Sequence, residues 1–122
     1  MSDLSDFLLA RIAEDEAAAL AVEHRRWTVE RYQDPGDDQG WVVLSGEEWI
    51  AQPSDEFDEA TARHIARQDP ARILAESATK RRWIEWVEQE SPSDLADDQR
   101  YSLRFMATTY ADHHDFDPRW RV

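Results

Sequence analysis

The sequence predicts an α+β fold: a small antiparallel three-strand meander packed against about four α-helices. Three observations predict it. Apolar residues recur at helical spacing in four separate stretches, one intervening stretch changes to the two-residue period of a strand, and the few Gly and Pro residues fall mostly at junctions. A sheet of two or three strands is not stable alone, so its apolar face needs helices against it. The 122 residues are read as a single domain, 1–122. A chain of that size buries about two-thirds of its unfolded surface on folding.

The elements follow in order. Residues 1–26 read as a helix with Leu4, Leu8, Ile12, Ala19 and Val22 in one stripe, a cap at Ser2 or Ser5, and Asp3 and Asp6 in the first turn. Residues 27–52 form the β section. Trp27, Val29 and Arg31 alternate with Thr28, Glu30 and Tyr32, a polar loop leads into "WVVLS", and Ser45–Gly46 makes a tight turn into "EEWIAQ". Residues 54–68 form a short helix capped by Ser54. Asp69–Pro70 makes a corner, because Pro disfavours helix at the residue before it and suits the first position of the next. A long helix runs over 70–90 and a last one, capped by Ser93, over 94–111. Residues 112–122 form a tail. Its Tyr110-led aromatics, Phe116 and Trp120, are too apolar to stay in water and should pack back.

Charge excludes several functions. The net charge is −13, and residues 1–62 carry 16 acids against 4 bases while residues 63–122 carry 11 against 10. Direct contact with nucleic acid is therefore not expected, and a basic protein partner is the natural complement. Cysteine is absent, so disulfides and thiolate metal sites are excluded. No apolar run is long enough for a membrane span or a signal segment, and the expected location is cytoplasmic. With three glycines there is no phosphate-cradling loop and no nucleophile elbow, so an enzyme is not the first expectation and no cofactor is expected.

Three groups of residues invite a functional reading. His64, His113 and Asp112, with His114 and Asp115, are weak metal candidates. Adjacent histidines point apart in regular structure, and no i,i+4 histidine pair is present. Asp15 interrupts the apolar stripe of the first helix, and Lys80 and Arg81 interrupt that of the long helix. An internal ion pair of Asp15 with Arg81 or Lys80 is expected, since a charge in an apolar stripe needs a partner or a path to water. Trp49 lies among Glu47, Glu48, Asp55, Glu56, Asp58 and Glu59, which together form the expected partner-binding face. Trp27, Trp41, Trp83 and Trp120 are expected in the core, with Trp49 and Trp86 at the surface.

The stretches "RIAEDEAAA", "HIARQDPARILAE…KRR" and "YADHHDFDPRW" resemble an uncharacterised domain-of-unknown-function family of small actinobacterial and actinophage proteins. The resemblance covers the chain from end to end. It implies a small α+β domain of the bacterial or phage cytoplasm and assigns no activity. The function expected first is a non-enzymatic binding or accessory protein that meets a basic partner through its acidic half. An acidic mimic of nucleic acid that blocks a DNA-binding protein is the alternative, and a small metal- or ligand-dependent enzyme the third reading.

Overall fold

The computed structural model of the chain describes residues 2–33, 39–51, 57–89 and 96–122. The order of elements is α1 (Asp3–Leu20), β1 (Trp27–Gln33), β2 (Gln39–Ser45), β3 (Glu48–Ala51), α2 (Glu59–Arg67), α3 (Pro70–Gln89) and α4 (Ala96–Thr108), followed by a single 3-10 turn at Pro118–Trp120. The three strands form one antiparallel sheet in the order β1-β2-β3, so the α+β class and the meander are as predicted. Two compact units are distinguished, Met1–Glu16 with Glu76–Val122, and Ala17–Ala75, and the divisions fall within α1 and α3.

In the first unit, Ser2 Oγ accepts from the Ser5 N–H at 3.2 Å and caps α1. Phe7, Leu8 and Ile12 of α1 then meet Ile84 and Val87 of α3, Leu103 and Ala107 of α4, and Phe116 of the tail in one buried cluster. Fully burying a Leu or Ile is worth about 1.5–3 kcal/mol, so these side chains dominate the unit's stability. Beyond Thr108 the helix tightens into i→i+3 bonds, with Tyr110 N–H on Ala107 O and Ala111 N–H on Thr108 O. The last helix is therefore shorter at its end than the expected 94–111; its start and Ser93 lie outside the described residues. The tail folds back on Phe7, whose ring lies 6.0 Å from Phe116 and 5.1 Å from Trp120. Arg104 fastens it by donating to the carbonyls of Arg119, Trp120 and Arg121 at 2.7, 3.2 and 2.7 Å.

In the second unit, β1 and β2 pair without interruption from Trp27↔Ser45 to Gln33↔Gln39. Between β2 and β3 the turn is only Gly46–Glu47, and Gly46 has φ +63°. Glycine suits that position because the left-handed backbone disfavours a side chain, and a Cβ would also press the His24 ring at 3.0 Å. In β3, Trp49 pairs with Leu44 and Ala51 with Val43, which leaves Ile50 as a bulged residue on the sheet edge. Val42, Val43 and Ser45 are buried, with Ala62 of α2.

Two further boundaries differ from expectation for identifiable reasons, and one corner is as expected. The first helix stops at Leu20 rather than 26: the Val22 N–H shifts to an i→i+3 bond on Ala19 O, and the segment that follows is tied to β2 and α3 instead of continuing the helix. His24 O accepts from Ser45 Oγ, and Arg25 O accepts from the Ala71 N–H. The short helix begins at Glu59 with Asp58 as its cap: Asp58 is extended and its side chain accepts from the Thr61 N–H at 2.7 Å, so Phe57 and Asp58 lie before the helix, while Ser54, the expected cap, lies outside the described residues. Asp69 serves two elements at once, which makes the corner rigid. One carboxylate oxygen caps α3 through the Arg72 N–H at 2.9 Å, and the other holds the Trp27 N–H at 3.1 Å.

Candidate functional site

The polar cluster of the first unit pairs differently from the sequence expectation. Arg81 takes Glu16, with Nε 2.8 Å from Oε1 and Nη2 on the same oxygen, while Asp15 accepts the Tyr110 O–H at 2.8 Å. Lys80 donates to the Tyr110 hydroxyl at 3.4 Å and lies 5.4 Å from the centre of its ring. Asp15 and Lys80 therefore meet through Tyr110, and the pair expected between Asp15 and Arg81 is replaced by Glu16 and Arg81. Consecutive residues on a helix point about 100° apart, so a neighbouring acid takes a different partner. The Arg81 hydrogen bond holds the Glu16 carboxyl below its usual range, and Glu16 in turn raises Arg81. Burial and the Asp15 carboxylate push the Tyr110 hydroxyl well above the ordinary phenol range, which keeps it a donor.

The histidine-rich tail is organised around Arg11, a residue that the sequence reading passed over. Arg11 is 8% exposed, pairs with Glu14 at 2.9 Å and Asp115 at 3.7 Å, and lies over the Phe7 ring. Its Nη1 is 2.7 Å from His113 Nδ1 and 2.5 Å from Nε2, and the Asp115 N–H also donates to Nδ1 at 3.0 Å. Arginine only donates, so the ring presents an acceptor nitrogen to it. His113 and His114 stack with centroids 4.3 Å apart. His113, His114 and Asp115 offer ligand atoms within 4.8 Å of one another, so Asp115 rather than Asp112 completes the group, and His64 belongs to the other unit. Imidazole and carboxylate suit a borderline divalent ion. Yet two of the three groups already face the buried Arg11 guanidinium, and a dication there would meet a fixed positive charge at close range. The signal for Arg11 was legible: it falls three residues after Leu8, on the inward side of α1.

The expected partner-binding face divides in two. Glu47 and Glu48 are exposed at the β2–β3 turn, beside Trp49 and Ile50, which are 45% and 42% exposed. The Trp49 ring stands edge-on to Tyr32 with centroids 5.0 Å apart. Asp58 and Glu59 are exposed too, but both have structural tasks: Asp58 caps α2, and Glu59 holds Arg63 at 2.7 Å. The bonds from Thr61 hold the Asp58 carboxyl below its usual range. Asp55 and Glu56 lie outside the described residues. Trp86 is 40% exposed as expected, but Trp83 is 39% exposed rather than buried, with its indole N–H on Ser102 Oγ at 2.8 Å and its ring against Trp86.

A model built for a family of unknown function, DUF6221, matches residues 1–122. The chain belongs to that family. No curated protein and no solved structure matches it. The DUF6221 assignment accords with the end-to-end resemblance read from the sequence and carries no activity with it. Among the described residues of this DUF6221 chain, no helix is long and apolar enough to cross a membrane.

Proposed function

We propose that this DUF6221 protein is a non-enzymatic binding or accessory protein of the bacterial or phage cytoplasm, and that it engages a basic protein partner through the β2–β3 turn and β3. The observation that carries the reading is the exposure of Trp49 and Ile50 on a sheet edge directly after Glu47 and Glu48. Large apolar residues at a surface supply the desolvated centre of an interface, and flanking carboxylates supply charge complementarity to Lys and Arg. Ile50 is left out of the strand ladder by the bulge, and Trp49 is braced by Tyr32, so one anchor stands out from the edge and the other is held in place. Glu47 and Glu48 have no ion-pair partner among the described residues, unlike Glu59.

The test is capture of partners from the native host on the immobilised chain, followed by affinity measurement for the partner identified. Trp49→Ala should weaken binding at least 30-fold, about 2 kcal/mol, as for a central anchor. Glu47→Gln with Glu48→Gln should slow association, with the loss growing smaller as salt is raised. A partner indifferent to both changes refutes the assignment of the face. A DNA-binding partner that duplex DNA displaces competitively would replace it with the nucleic-acid mimic.

A further inference from the structure

A cleft of about 400 Å³ lies in the second unit between β1 and α2, lined by Trp27, Val29, Arg63, Ala66 and Arg67. Its size falls within the range of small-molecule sites. The two arginines are four residues apart on α2 and so rise from the same side of the helix. Their situations differ. Arg63 is neutralised by Glu59, through Nε at 2.9 Å and Nη2 at 2.7 Å, and lies over the Trp41 ring. Arg67 has no carboxylate partner among the described residues. It therefore brings an uncompensated guanidinium to an otherwise apolar wall of Trp27, Val29 and Ala66.

A second observation concerns Trp27. Its backbone is fixed by Asp69, but its indole N–H is shielded from solvent and has no acceptor among the described residues. Buried donors are nearly always answered by a protein group, a water or a ligand. A planar guanidinium fork and a flat aromatic wall thus meet at one cleft, and the Trp27 that forms this wall carries an indole N–H with no acceptor among the described residues.

We infer that this cleft binds a small aromatic carboxylate, with its carboxylate on Arg67 and its ring against Trp27, Val29 and Ala66. Guanidinium matches a carboxylate through two parallel hydrogen bonds, which selects a planar anion over a neutral compound. The apolar wall selects against a bare inorganic anion, which would leave that surface wet. The site is separate from the Trp49 edge and stands independently of the proposed partner.

The experiment is a titration of the full chain with 2-naphthoate, read by nitrogen–proton NMR at the Trp27 indole resonance, which Trp27→Phe identifies by its disappearance. A saturable shift with a Kd below 1 mM is expected, as about the weakest affinity worth calling a site. Arg67→Gln should weaken binding at least tenfold, and Arg67→Lys should fall between. Arg67 is exposed, so both variants should melt with the parent chain. Neutral 2-naphthalenemethanol and inorganic phosphate should each bind at least tenfold more weakly than naphthoate. No saturable shift at Trp27, or an unchanged affinity in Arg67→Gln, overturns the site. Equal binding of phosphate overturns the aromatic part of the assignment, and equal binding of the alcohol overturns the role of Arg67.

Discussion

Replacing Phe116 by alanine should be the most damaging single change in the last eleven residues. The ring is 8% exposed and belongs to the main cluster. It meets Phe7 with centroids 6.0 Å apart and Trp120 at 5.6 Å, both edge-on. Truncating a buried Phe costs about 3–5 kcal/mol, counting lost transfer energy and the cavity left behind. Edge-on aromatic pairs add about 0.5–1.5 kcal/mol each beyond buried area, and they are lost in the same truncation, so the upper part of that range applies. For a chain of this length each kcal/mol moves the melting temperature by about 3–5 °C, interpolating between smaller and larger domains. The expected drop is therefore roughly 12–25 °C. The assay is thermal unfolding followed by far-ultraviolet circular dichroism, with His114→Ala as the control. His114 has a side chain 83% exposed and should cost less than about 0.5 kcal/mol. A Phe116→Ala melt within 3 °C of the control would refute the claim that the tail is part of the core.

Two further predictions concern the charges. In double-mutant cycles by urea unfolding, Glu16→Gln and Arg81→Gln should couple by up to about 1 kcal/mol, because the pair is only part-buried and solvent screens it. Asp15→Asn and Arg81→Gln should be additive within experimental error, and coupling there instead would restore the pairing expected from the sequence. Stability should also fall in acid. Ser5 and Ser2 hydrogen bonds hold the Glu88 carboxyl below its usual range against the opposing effect of burial, with help from Arg100. A depressed carboxylate contributes stability above its unfolded pKa of about 4.3, and that contribution disappears as pH drops through the lower folded value. The melting temperature of the parent chain should therefore decline below about pH 4.3, and Glu88→Gln should flatten part of that decline. An identical pH profile in Glu88→Gln would remove Glu88 from the account.

What could be read from the sequence was what depends on local chemistry. The corner at Asp69–Pro70 needed only the stereochemistry of proline and the capping ability of aspartate. The turn at Gly46 needed only the scarcity of other residues that tolerate φ +63°. What could not be read was what depends on angle and on distant competitors. The first helix has enough alanine to continue past Leu20, yet the segment after it is tied through His24 O and Arg25 O to Ser45 and Ala71, residues far along the chain. The same holds for the acid pair. A stripe of apolar residues shows which side of α1 faces inward, with Asp15 interrupting it and Glu16 the next residue along. Which of them reaches Arg81 depends on a rotation of about 100°, and Tyr110 engages the other, Asp15. Tyr110 lies just past the end of α4 at Thr108, in the tightened turns, with its hydroxyl on Asp15 and near Lys80. The partner of Asp15 thus comes from a residue 95 positions along the chain, a pairing no local pattern carries.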